Sequence, residues 1–310
     1  MPPNRAANAD TDNNGKRATA GQRGRRRLRT TLMLGLVVVT VAGLIAVNWP
    51  LFVGDWDTRV ISASRAKHRA MWALGQTLPG TPDLAALDKR LADGGFTLRQ
   101  PILIRIFKRE FELEIWKAKD GRYHRFATYP ICRWSGKLGP KLKTGDRQAP
   151  EGFYSVSKSQ LNPNSRWHRS FNLGFPNTYD RGHGRTGSFL MVHGGCSSVG
   201  CYAMTNAVID EIWQLVTSAL DAGQKSFQVQ AFPFRMSEEN LATKVDDPLY
   251  PFWLSLKQGF DLFEKNGIPP RVRVCRGAYA FLPGNRVSDD GQSATASCEG
   301  LPPASGNQES

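Results

Sequence analysis

The sequence predicts a mainly β (α+β) domain with one helix flanking a reactive loop, preceded by a single N-terminal transmembrane helix. Three observations predict it. Six strand-like runs, separated by Gly and Pro, lie between residues 101 and 233. One amphipathic helix interrupts them after Thr205. An uncharged apolar stretch covers residues 32–47. The 310 residues are 40% hydrophobic, enough for a core, and include 30 Gly and 19 Pro, a composition rich in turns.

Taken in order, residues 1–30 form a basic cytoplasmic tail, polar and too poor in aromatics to build a core. Residues 31–53 form the span. As a helix they reach across the ~30 Å of hydrocarbon in a bilayer. Arginines precede the span and Trp49 sits at its far end, which matches the positive-inside rule and an interfacial aromatic anchor. The alternative is a cleaved signal peptide, but no small-x-small site follows Val47. Either way residues 54–310 lie outside the cytoplasm. Residues 54–100 read as a helical stalk: a helix over 58–78 ends at Pro79-Gly80, and Asp83 caps a second one, with Leu84, Leu87 and Leu91, that stops at Gly94-Gly95.

The pattern then shifts to strands at 102–107, 111–116, 123–131, 151–157, 188–193 and 227–232. The helix among them has Thr205 as its N-cap. It places Ile209, Ile212, Trp213, Val216 and Leu220 at helical spacing and stops at Gly223. Residues 234–282 read as a C-terminal extension, with a helix over 248–266 and a strand at 271–275. Residues 283–310 read as a disordered tail.

The formal charge is +14. Eight Lys/Arg against Asp10 and Asp12 give the first 30 residues +6, leaving +8 for the rest. A basic chain suits nucleic acid, but the strongest cluster abuts the apolar span, so it reads as a topology signal and not as a nucleic-acid site. Five cysteines, at 132, 196, 201, 275 and 298, leave at least one free thiol in an exported chain. A Cys275–Cys298 pair is expected.

The chemistry concentrates in residues 182–206. Val192 ends an apolar strand, His193 follows it, and Cys201 precedes the helix. Glycines at 194, 195 and 200 permit a tight loop between them. A cysteine attacks as thiolate, and a nearby imidazole can take its proton and return it to a leaving amine. The amides of Gly200, Cys201 and Tyr202, with the positive end of the helix, are placed to hold a thiolate and an oxyanion. The reaction class is acyl transfer through a thioester. Three other readings stay open at this point: a structural Gly-rich loop, zinc held by His183, His193, Cys196 and Cys201, and a Cys196–Cys201 disulfide.

His193-Gly-Gly followed by Ser198-Val-Gly-Cys-Tyr-Ala-Met-Thr-Asn206 resembles the active-site signature of YkuD-type L,D-transpeptidases, in particular the YafK-like murein branch. Thr144-Gly-Asp-Arg-Gln-Ala-Pro-Glu-Gly-Phe-Tyr154 is similar to that family's Thr-Gly…Pro-x-Gly-x-Tyr/Phe turn. The resemblance covers about residues 101–233. The chain departs from the commonest pattern, Ser-His-Gly-Cys followed by Arg, which here reads Val199 and Ala203-Met204.

The resemblance implies a YkuD-like β-sandwich with Cys201 as nucleophile and His193 as general acid/base. Gly200, Cys201 and Tyr202 would supply oxyanion amides, and Ser198 would orient the imidazole or the loop. His183, Arg181 and Arg185 are candidate substrate contacts, the arginines for stem-peptide carboxylates. Arg166, Trp167, His168 and Arg169 would form part of a lid, or a plain surface loop. The implied activity is attack on the third stem-peptide residue of peptidoglycan, giving a cross-link or protein attachment. Hydrolysis by the same chemistry, as an L,D-carboxypeptidase or amidase, and a non-catalytic cell-wall binding protein are the alternatives. Neither metal nor organic cofactor is needed. The implied partners are stem peptides, an amine acceptor such as a wall-linked lipoprotein, and the membrane.

Overall fold

The computed structural model describes residues 33–45, 47, 56–285, 291 and 293–301. Residues 33–45 and 47 are helical (α1), and their side chains are exposed. Among the described residues no helix is long and apolar enough to cross a membrane. The basic tail and residues 31, 32, 46 and 48–53 of the expected span lie outside the described residues.

Two five-stranded sheets form the body. Sheet one runs β3-β2-β1-β10-β5, built from Ile102–Phe107 (β1), Glu112–Lys119 (β2), Arg122–Pro130 (β3), Gly152–Ser157 (β5) and Ser226–Phe232 (β10). Sheet two runs β4-β9-β8-β7-β6, built from Arg133–Trp134 (β4), Leu161–Asn162 (β6), Ser170–Asn172 (β7), Met191–His193 (β8) and Tyr202–Ala203 (β9). The strands expected from sequence account for sheet one and for the end of one strand in sheet two. Expected strand 188–193 shrinks to β8, because Phe189 takes a positive φ of 56° that no ladder tolerates. The remaining strands of sheet two are two or three residues long, too short to show a period of two.

Helix α5 (Asn206–Asp221) closes the core. Thr205 Oγ1 accepts from Val208 N at 3.3 Å, as an N-cap should. Its buried positions, among them Val208, Ile212, Leu215 and Ala219, form a single stripe. That stripe packs with Ile102, Ile104 and Ile106 of β1 and with Val192 and Tyr202 of sheet two in one cluster. Each such fully buried aliphatic contributes about 1.5–3 kcal/mol.

Two expected appendages are built into the domain. Helix α2 (Trp56–Ala73) was expected in an extended stalk. Instead Ile61 enters the core, Arg65 donates to the carbonyls of Trp134 and Gly136, and His68 Nδ1 bonds the Ile131 carbonyl at 3.0 Å. A short turn of helix at Leu84–Ala86, capped by Asp83, leads into α3 (Leu87–Asp93). Arg90 of α3 reaches Glu211 on α5 at 2.5 Å. Beyond a five-residue helix α4 (Thr178–Gly182), the C-terminal extension holds α6 (Glu238–Ala242), α7 (Tyr250–Asn266) and a hairpin of Arg271–Cys275 (β11) and Ala278–Leu282 (β12). Phe260 and Phe263 of α7 pack on Phe107, Phe232 and Trp116, covering the outer face of sheet one. Part of the expected disordered tail is ordered: Thr295–Ala296 (β13) pairs with β11, and Cys298 is bonded to Cys275, the pairing expected.

Candidate active site

Strands β8 and β9 run parallel and adjacent, with Val192 opposite Tyr202 and His193 opposite Ala203. Residues 194–201 must return the chain over that short distance. This register sets Cys201 level with Met191, two residues before His193. Two strand residues rise about 6–7 Å, and residues two apart share a face. The loop therefore sets Cys201, immediately before β9, beside the strand that carries His193, in the interior of sheet two, where β8 is the central strand.

The loop is tied at several points. Met204 N donates to His193 O at 2.7 Å, and Cys196 N donates to Met204 O at 3.1 Å. Gly195 N donates to Asn206 Oδ1, at the start of α5, at 2.8 Å. Gly195 has φ +80°, and a Cβ there would press on Trp167 at 3.2 Å, so glycine is required twice over. Cys196 is bonded to Cys132, which follows β3. That bond removes two open readings: Cys196 neither pairs with Cys201 nor belongs to a four-ligand zinc set. Among the described residues Cys201 is the free cysteine.

His193 is 2% exposed. Its Nδ1 lies 2.6 Å from the Gly194 carbonyl, which can only accept, so Nδ1 carries the proton and Nε2 is the basic nitrogen. Burial pushes the imidazole below its ordinary pKa, against the pull of that carbonyl. The resting ring is therefore neutral. The Trp167 ring lies 6.1 Å from it at 32°. Residues 162–170, expected as a lid or a plain surface loop, are held at the site: His168 Nε2 and Arg169 Nε both bond Asp210 Oδ1 on α5 at 2.7 Å.

Burial pushes the Cys201 thiol up, while the Met191 N–H and the Lys141 ammonium pull it down. Met191 N donates to Sγ at 3.4 Å, and Sγ donates to the Phe189 carbonyl at 3.6 Å. Along the chain, β9 stands between Cys201 and the cap of α5. At rest the thiol and the imidazole are both neutral.

The three expected oxyanion amides separate. Gly200 N donates to Ser135 Oγ at 2.5 Å and to Ser198 Oγ at 3.3 Å. That corrects the expectation for Gly200: its amide is committed to the hydroxyls of Ser135, just after β4, and Ser198 in the loop. Tyr202 lies in β9, paired on both sides, and its hydroxyl donates to Pro150 O at 2.5 Å. This leaves the Cys201 amide. Ser198 orients the loop and not the imidazole, donating to Cys201 O at 2.6 Å.

The substrate-contact candidates are engaged elsewhere. Arg185 is buried and paired with Asp180 at 2.8 Å, so its fork is not offered to a ligand. His183 ends α4, bonds the Tyr179 carbonyl at 2.9 Å and stacks on the Tyr179 ring. Arg181 donates to Pro176 O and Thr178 Oγ1 and is exposed. No contact links any of the three to Cys201 or His193.

Sequence reasoning missed Ser135, Lys141 and the Met191 amide. Lys141 is buried and paired with Asp146 at 2.5 Å. Asp146 also accepts from the amides of Leu142, Lys143 and Gln148. The 144–154 turn is thus a brace, and through Pro150 it supports the strand that presents Cys201. The proximity of Asp146 to the quoted Thr-Gly turn was the available signal for Lys141; nothing in the sequence marks a backbone amide.

Residues 103–246 match the model of the L,D-transpeptidase catalytic domain, YkuD. The chain is 49% identical over 179 residues to the protein named "Putative L,D-transpeptidase YafK" of Escherichia coli K12, covering 58% of this chain and 73% of that one. The protein of the same name from Escherichia coli O157:H7 matches equally. Among solved structures, the helical cell shape determining protein Pgp2 from Campylobacter jejuni aligns at 19% identity and a TM-score of 0.36, over 58% of this chain and 66% of that one, slightly under two thirds. A likeness of that size carries no weight. The family match and the YafK relatives do: the chain belongs to the YkuD-type L,D-transpeptidases, in their YafK-like branch.

Proposed function

We propose that this chain modifies peptidoglycan by L,D-transpeptidation through a Cys201 thioester. The observation that carries the reading is the free Cys201 thiol, which accepts from the Met191 amide of β8, the strand that ends in the neutral, buried His193. His193 Nε2 takes the thiol proton as Sγ attacks the carbonyl of the third stem residue. The Cys201 amide is the donor available to the oxyanion. The C–N bond breaks, the amine leaves with the proton from His193, and a thioester remains. An incoming amine then gives up a proton to His193, forms the new amide and releases the thiol. Water in its place gives the free acid.

The domain works outside the cytoplasm, held by a single-pass anchor over residues 31–53 with its N-terminus inside. Two disulfides, Cys132–Cys196 and Cys275–Cys298, support an oxidising compartment. The test is turnover of purified tetrapeptide muropeptides, with and without an amine acceptor, by wild type and Cys201→Ala. New amide product from the wild type alone is the expected result. Equal turnover by both proteins refutes the thioester, and wild-type product that is only free acid assigns hydrolysis instead.

A further inference from the structure

Within sheet two, His193 has a neighbour on either side. Ser170 of β7 stands directly opposite it, and Ala203 of β9 flanks it on the other strand. Residues paired across an antiparallel ladder point to one face, with Cβ atoms about 4.5–5.5 Å apart. The next pair along, Phe171 and Val192, turns the other way, into the core. Ser170 and His193 therefore share the opposite face, and the serine hydroxyl lies beside the imidazole.

Ser170 is buried, and its Oγ has no hydrogen-bond partner among the described residues. A bare hydroxyl in the interior is unfavourable, and native proteins seldom leave one. Ala203, in the matching place on the other side of His193, carries no polar group at all.

Counting donors and acceptors gives the hydroxyl a task. The neutral ring has one N–H, on Nδ1, and the Gly194 carbonyl accepts it at 2.6 Å. After the ring takes the Cys201 proton it has two. The second, on Nε2, needs an acceptor until the leaving amine collects the proton. By then the sulfur is bonded to the acyl carbon and accepts only weakly. The other polar groups packed here are already used. Asp210 accepts from His168 and Arg169, and Asn206 Oδ1 accepts from the Gly195 amide. Ser170 Oγ is unused.

We propose that Ser170 is a positioning residue for His193. Its hydroxyl oxygen accepts from Nε2–H of the imidazolium and holds the ring between attack by Cys201 and departure of the amine. The inference rests on the thioester reading of Cys201. No covalent bond changes at the serine. At rest the two side chains are unbonded, and Nε2 keeps its lone pair for the thiol proton.

The test compares the full-length chain in detergent with Ser170→Ala and Ser170→Thr. Acylation by a carbapenem is followed by intact mass over a range of concentrations. Ser170→Ala is expected to lower the limiting rate roughly tenfold, the size of a lost hydrogen bond to a charged group, with the half-saturating concentration unchanged. Ser170→Thr keeps the oxygen and should restore most of the rate. His193 is also titrated by ¹⁵N-histidine NMR in a Cys201→Ala background. An acceptor that serves the charged ring raises its pKa, so adding Ser170→Ala should lower the His193 midpoint. A serine that only fills space would leave it in place. Equal limiting rates or an unmoved midpoint overturn the proposal. A wild type that forms no adduct on Cys201 overturns the thioester reading itself. Where the serine variants fail to fold, the Cys201→Ala chain decides alone. Below the His193 midpoint, a nuclear Overhauser contact between Nε2–H and the Ser170 β-protons is expected, and its absence overturns the proposal.

Discussion

Cys201 and His193 stood out in the sequence because they are reactive side chains at the two ends of a Gly-rich loop. The polarity of the pair was not legible. Sequence suggested a thiolate stabilised by a helix end; the structure leaves the thiol half-buried, and its desolvation outweighs the pull of the Met191 N–H and Lys141. The consequence is a pH signature. Iodoacetamide labelling of resting Cys201 requires thiolate, so its rate should climb with a midpoint above the ordinary thiol value of about 8.5. Acylation by substrate requires neutral His193, whose pKa is pushed down. A base with a lowered pKa stays neutral to lower pH, so the acid limb of acylation should lie below the ordinary imidazole value of about 6.5. Labelling that is already maximal near neutral pH would show a preformed ion pair and contradict the geometry. Gly200 illustrates a different limit. Its glycine was readable, but where its amide points depends on Ser135, 65 residues away.

At the scale of elements, long strands and the amphipathic α5 announced themselves through periodicity. Strands β4, β6, β7 and β9 did not, since two or three residues cannot display a period. Their positions come from tertiary pairing around β8. The disulfide Cys132–Cys196 was equally hidden, because spacing says nothing of which distant thiols meet. It closes a loop with a sequence separation of 64 and fastens the segment three residues after His193 to the end of β3. Leu78 packs on the same bond. Replacing both cysteines by serine should lower stability by about 2–4 kcal/mol in chemical unfolding. It should also slow acylation of Cys201 more than it weakens substrate binding, since the loop amides and His193 lose a fixed support. Unchanged acylation at a temperature where the variant is folded would show that the bond only stabilises.

For the whole molecule, sequence divided the chain into stalk, catalytic domain and extension. The structure joins residues 58–100 of that stalk and the extension to the catalytic sheets. Arg65 and His68 dock α2 on residues 131–136, which carry β4, and α7 covers sheet one. Amphipathic patterns reveal that a helix buries a face, but not what it is buried against. The proposed anchor belongs to this scale. Full-length chain should stay with membranes through alkaline carbonate, and a chain beginning at residue 54 should be released; release of the full-length chain would refute the anchor. The central claim, a nucleophilic Cys201 activated by His193, is tested most directly by intact-mass and peptide mapping after exposure to a carbapenem. The account predicts a single covalent adduct on the Cys201 peptide, absent in Cys201→Ala and formed far more slowly in His193→Ala. An adduct on another residue, or none on folded wild-type protein, would contradict it.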